Sequence, residues 1–187
     1  MLHGWTGDES IMWIFNQHIS PEYLIISPRG VIDADPSGFG WIQFSQILET
    51  PVEAFFDVAT NLFNTLDRWL NHLGIVDYSF DLMGFSQGAA LAYVLSILFP
   101  DRVMKTAALA GYLPKNAINY MKSEFLHEKK FFIAHGIKDE IIPFSTAEQA
   151  RSTFLSVGAN VEFCSSNIGH KLSAECTNQL QNFFKAV

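Results

Sequence analysis

The chain has 187 residues, 49% hydrophobic and 17% charged, with 17 Phe and a formal net charge of −7. That length suits one domain with a sizeable core, and that composition excludes a disordered chain. The acidic balance without a Lys/Arg cluster argues against a nucleic-acid surface, and no apolar stretch approaches the roughly 20 residues of a membrane span.

Met1 and Leu2 read as the end of a strand that runs into the loop His3-Gly4-Trp5-Thr6-Gly7-Asp8. Ile11–His18 has the spacing of a short helix, and Tyr23-Leu24-Ile25-Ile26-Ser27 is a buried-strand candidate by its β-branched content. Residues 28–49, with Pro28, Gly30, Pro36, Gly38 and Gly40, form a long loop in which Asp33 and Asp35 are solvated. Its aromatics, Phe39, Trp41 and Phe44, serve either a ligand or the anchoring of the loop on the core. Thr50, Pro51 and Glu53 have the pattern of a capping box with proline at the first helical position. Phe55, Phe56, Ala59, Leu62, Phe63, Leu66, Trp69, Leu70 and Leu73 follow at helical spacing as a core-facing stripe, and Gly74 stops the helix.

A strand is expected from Tyr78 to Met83, a helix from Gln87 to Phe99 and a strand from Val103 to Ala110. A less regular insert spans 115–128 and Phe131 to Ala134 is a further strand. A helix over 145–156, a strand from Asn160 to Cys164 and a helix over 172–185 complete the chain. Strands alternating with helices predict a single α/β domain over 1–187, with a mainly parallel twisted sheet and helices on both faces. The N-terminus has neither a basic region nor an apolar signal core. Cys164 and Cys176 are too few for a disulfide framework and lack metal-type spacing, so free thiols in a cytoplasmic protein are expected.

The chemistry centres on Gly84-Phe85-Ser86-Gln87-Gly88, which lies between a predicted strand and a predicted helix. A serine on that sharp turn projects its hydroxyl above the sheet, and the helix behind it aims N–H groups at any oxyanion formed there. A serine hydroxyl needs a base, and the base an orienter. Of six histidines, His18, His72 and His127 read as surface residues, and His3 and His135 each precede a glycine at a strand end and admit a structural role. His170 follows the last strand, where ligand-facing residues of open α/β sheets gather. Asp139 lies in the loop after the preceding strand, with Glu140 as its competitor. The order Ser86, Asp139, His170 is that of the α/β-hydrolases. No ligand spacing calls for a metal, and nothing calls for a cofactor.

Leu2 to Asp8, Pro28-Arg29-Gly30, Gly84 to Ala90, Gly111-Tyr112-Leu113-Pro114, His135 to Asp139 and Gly169-His170 together resemble the phospholipase/carboxylesterase group of α/β-hydrolases, which includes acyl-protein thioesterases. The resemblance implies an α/β-hydrolase fold in which Ser86 attacks an acyl carbonyl, His170 is the base and Asp139 orients it. It further implies an oxyanion hole of the Trp5 and Gln87 backbone N–H groups, each donor worth about 3 kcal/mol. Trp41, Phe85 and Ile141, with Trp5, are candidates for the acyl-pocket wall.

The expected partner is therefore a small acyl ester or thioester. A catalytically silent binding protein of the same fold is the alternative, and a peptidase-like hydrolase lacks a cap or propeller to select peptides. Residues 31–41 differ from the acyl-protein thioesterases, so their substrate does not carry over. The resemblance also implies further strands ahead of His3. With two residues there, upstream sequence or another segment or chain is expected to fill the gap, and the Trp5 loop to be loosely anchored.

Overall fold

A computed structural model describes residues 1–43 and 49–185; Phe44 lies outside the described residues. A 3₁₀ helix over Ile11–His18 precedes a short antiparallel ribbon, β1 (Ile32–Asp33) with β2 (Phe39–Gly40), inside the long loop. Then come α1 (Phe56–His72), β3 (Phe80–Phe85), α2 (Gln87–Leu98), β4 (Val103–Leu109), α3 (Ser123–Leu126), β5 (Lys130–Gly136), α4 (Phe144–Ser156), β6 (Asn160–Ser166) and α5 (Ala174–Lys185).

The four longer strands form one parallel sheet in the order β3-β4-β5-β6. Side-chain alternation along each strand divides the core between the two faces. Met83, Ala107, Leu109, Phe132, Ala134 and Cys164 pack with α5 and the first 3₁₀ helix. On the other face Ala108, Phe131 and Ile133 pack with Tyr93 of α2 and Phe154 of α4, while Leu82 joins α1 and α2. Because the strands are parallel, their C-terminal ends share one edge, and the loops that leave it carry Ser86, Asp139 and His170.

Four local expectations are corrected. Tyr23 to Ser27 forms no strand and Leu24 is exposed. The segment beside it, Met1–Leu2, makes a single bridge to the sheet, Leu2 with Gly84, and a single bridge cannot propagate a ladder. The capping box is not made: Val52–Phe55 is a 3₁₀ turn without a side-chain cap, and Glu53 instead accepts a hydrogen bond from Tyr120 Oη (2.7 Å). In the α1 stripe, Trp69 and the following Leu73 are exposed, whereas Leu70 between them is buried.

The fourth correction concerns the cysteines, which are joined. Cys164 of β6 and Cys176 of α5 lie on the same core face with Cα atoms 5.7 Å apart and form a disulfide. The return of α5 onto the strand that precedes it creates the proximity, which a spacing of 12 residues does not announce. The bridge closes the loop that holds Gly169 and His170. Removing it with reductant, or by Cys164→Ser, is expected to cost about 3 kcal/mol by loop-closure entropy. Thermal melts with and without reductant check this, and equal melting temperatures would show that the two sulfurs are not bonded in solution.

Candidate active site

Ser86 caps α2 with φ 55° and ψ −118°, a backbone region that L residues avoid, at a cost on the order of 1–3 kcal/mol. Its N–H donates to Leu109 O (2.9 Å), and its C=O accepts from Ala89 N (3.0 Å) and Ala90 N (3.2 Å). Strand, turn and helix meet backbone to backbone here. A Cβ on Gly84 would overlap the Gly88 carbonyl, and one on Gly88 would overlap the Leu2 carbonyl. Leu2 is locked beside β3 by Leu2 N–H to Met83 O (2.8 Å) and Phe85 N–H to Leu2 O (3.0 Å). Gly4 therefore sits on Ser86: its Cβ position is 3.1 Å from Ser86 Cβ.

Across the same edge, His170 Nδ1 lies 2.7 Å from Asp139 Oδ2, and the His170 ring packs on Phe85, the residue before Ser86, with centroids 5.0 Å apart. The Asp139 carboxylate is buried, and Oδ1 accepts N–H bonds from Ile141 and Ile142, both 2.9 Å. These dipoles stabilise its charge and fix its orientation. Glu140, the competing carboxylate, points to solvent. His135 Nε2 also approaches Asp139 Oδ2, at 3.3 Å, which the sequence did not signal. Among the described residues no group of three or more His, Cys, Asp or Glu side chains is placed to hold a metal ion.

The Trp5 loop is anchored, though not by a strand ladder. Gly30 N–H donates to His3 Nε2 (2.8 Å), which places the His3 proton on Nδ1, 2.8 Å from Gly4 O. The Trp41 indole N–H donates to His3 O (2.7 Å). The Gln87 side chain uses both ends of its amide: Oε1 accepts from Trp41 N (2.7 Å) and Nε2 donates to Ile42 O (3.0 Å). Phe39 N–H donates to Gly7 O (2.8 Å), and a Cβ on Gly40 would overlap the Trp5 ring. The 28–42 segment is thus a strap over the Trp5 loop, fastened to the residue after Ser86.

Of the candidate pocket residues, Trp41 is 1% exposed and packed on the His3 ring, inside the strap and away from any open surface. Phe85 is half-buried against His170, and Ile141 is 57% exposed beside Asp139.

Over residues 1–187 the chain matches the model of the phospholipase/carboxylesterase family. The chain belongs to that family. Acyl-protein thioesterase 1 of Aspergillus fumigatus is 31% identical over 130 residues, which cover 67% of this chain and 54% of that protein. A probable carboxylesterase of Arabidopsis thaliana is 28% identical over 106 residues, covering 56% and 40%. The chain therefore spans about half the length of these two relatives. Among solved structures, the Bacillus cereus carboxylesterase superposes with a TM-score of 0.84 at 20% identity, over 98% of this chain and 85% of that one. A carboxylesterase from Mesorhizobium loti gives 0.83 at 18% identity, over 100% and 87%. The fold is that of the α/β-hydrolases, as the sequence resemblance implied.

Burial holds both His3 and His135 below their ordinary value of 6.5, so both stay neutral in the fold. As pH falls through 6.5 the unfolded chain takes up protons before the fold does, so their contribution to stability is complete above 6.5 and is lost progressively as pH falls from there through the lowered folded values. At His3 a second ring proton would also face the Gly30 N–H. Denaturant titrations at pH 8, 6.5 and 5.5 are expected to show falling stability. The fall should be shallower in His3→Gln, and identical slopes would remove His3 from the acid response.

Proposed function

We propose that the chain is a serine hydrolase that cleaves carboxylic esters or thioesters of modest size through an acyl-enzyme on Ser86. The observation that carries this reading is the Asp139–His170 hydrogen bond of 2.7 Å, made by a buried carboxylate and laid against the strained turn that presents Ser86. In this reading Asp139 accepts the Nδ1 proton of His170, which leaves Nε2 as the base for the Ser86 hydroxyl. Oγ attacks the acyl carbonyl, and His170 then returns the proton to the departing alcohol or thiol. Water repeats the cycle on the acyl-enzyme.

The negative oxygen of each tetrahedral intermediate is received by the Gln87 and Trp5 backbone N–H groups, the first at the start of α2 and the second in the strapped loop. Phe85 and Ile141 border the substrate, while Trp41 acts from beneath by holding the strap. The names of the relatives, acyl-protein thioesterase and carboxylesterase, support the reaction class. The expected cytoplasmic location stands against the disulfide, since such bonds persist mainly in oxidising compartments. No helix among the described residues is long and apolar enough to cross a membrane.

A panel of nitrophenyl esters of increasing acyl length tests the reading. Turnover should vanish in Ser86→Ala and fall about 10⁴-fold in kcat for Asp139→Asn, whose amide favours the wrong tautomer of His170. Glu140→Gln should keep it. A fluorophosphonate should label Ser86 and depend on His170 to do so. Binding without turnover in the native chain would instead favour a silent binding protein.

Gly40→Ala probes the oxyanion loop from outside the triad, because the added methyl displaces the Trp5 ring. The expected result is a loss of about 100-fold in kcat/KM with Ser86 still present and folded. Full turnover in this variant would take the Trp5 loop out of the oxyanion site.

A further inference from the structure

His135 is the buried residue next to the end of β5 and takes no part in the proton transfers above. Its Nε2 lies 2.9 Å from Ile142 O, a carbonyl that can only accept, so the ring proton resides on Nε2. The same nitrogen is 3.3 Å from Asp139 Oδ2, the oxygen that His170 Nδ1 meets at 2.7 Å. Ile142 donates its own N–H to Asp139 Oδ1 at 2.9 Å. His135 therefore holds the residue that holds one carboxylate oxygen, and lays the positive edge of its ring against the other.

Its remaining nitrogen, Nδ1, is buried and meets no partner. An unpaired buried polar atom is destabilising, and a side-chain amide could satisfy the Ile142 carbonyl in its place. Imidazole offers in addition a rigid ring with one N–H whose edge reaches the Ile142 carbonyl and the Asp139 carboxylate together. Resting on the serine-hydrolase reading above, we propose that His135 is a positioning residue of the triad, which sets the Asp139 carboxylate for His170 through the 139–142 turn.

Charged or titratable groups face His135 from two sides. Asp139 does so from its own loop and His170 from the loop after β6, whereas α4 sets the Phe144 ring 6.2 Å from it. Desolvation holds His135 neutral, so it presents the same Nε2–H throughout the reaction. Ile142 is fully buried, and removing the imidazole takes away the donor that its carbonyl meets at 2.9 Å. The turn must then move to find another donor, and Asp139 moves with it. A displacement on the order of 1 Å at a catalytic group costs about 100-fold in rate.

The test compares His135→Leu, which has no donor, with His135→Gln, whose amide N–H can reach Ile142 O, in the whole chain. Nitrophenyl ester turnover is expressed per fluorophosphonate-titratable Ser86, and the low-field proton resonance of His170 Nδ1–H is recorded for each. His135→Leu is expected to lower kcat per site by about 10- to 100-fold at unchanged KM and to shift or broaden that resonance. His135→Gln should recover most of both. Unchanged kcat per site and an unchanged resonance in His135→Leu, whatever its melting temperature, would overturn the inference.

Should His135→Leu not fold, nitrogen spectra of histidine-labelled native protein carry the test. A neutral Nε2–H tautomer at His135 across the active pH range supports the proposal, and a protonated or Nδ1–H ring overturns it. Ser86→Ala and Asp139→Asn run alongside. Activity in Ser86→Ala would overturn the serine-hydrolase reading and this inference with it. Inactive controls beside a fully active His135→Leu would overturn this inference alone.

Discussion

In a parallel sheet every strand ends on the same edge, and the geometry of this site depends on that constraint. β3, β5 and β6 release the loops that hold Ser86, Asp139 and His170, with β4 between the first two. Backbone bonding also continues past the strand ends. Ser86 N–H reaches Leu109 O, Ala110 N–H reaches Ala134 O and Ile137 N–H reaches Ser166 O. The loops are therefore extensions of the ladder rather than free connections, and the rigidity of the sheet is passed to side chains far apart in sequence.

A buried carboxylate without a permanent cation is costly unless dipoles replace its water. Asp139 is surrounded by such dipoles: the N–H groups of Ile141 and Ile142, and the ring edges of His170 and His135. Together these groups replace its water in one fixed interaction with the carboxylate. The same low-dielectric surroundings that keep His135 neutral strengthen that interaction.

The two sides of the site are fastened by different means. On the His170 side, the Cys164–Cys176 bond and the Ser166–Ser173 hydroxyl pair (2.7 Å) close the loop covalently and by hydrogen bonding. On the Trp5 side, neutral groups do the work: His3 accepts from Gly30, and Gln87 spans Trp41 and Ile42. The long loop, read from sequence as either ligand-facing or anchoring, is an anchor at Trp41.

The sequence by itself determined the alternation of β3 to β6 with α2, α4 and α5, the turn at Ser86 and the order Ser86, Asp139, His170. Each of these is written in local periodicity or in turn chemistry that a few neighbouring residues enforce. Glycine at 84 and 88 was legible for the same reason, since backbones that approach so closely exclude any Cβ. Tertiary structure alone decided that Tyr23 to Ser27 forms no strand, that Thr50 and Glu53 form no capping box, and that the two cysteines join. It also decided that Trp41 is core, and that His135 faces Asp139. Most of these depend on what lies across the fold: a ladder needs a neighbouring strand, a disulfide a returning helix, and the Gly30–His3 and Trp41–Gln87 bonds join residues 27 and 46 positions apart. Local pattern carries the period of an element and the chemistry of its turns, but the partner of a buried polar group is chosen by packing.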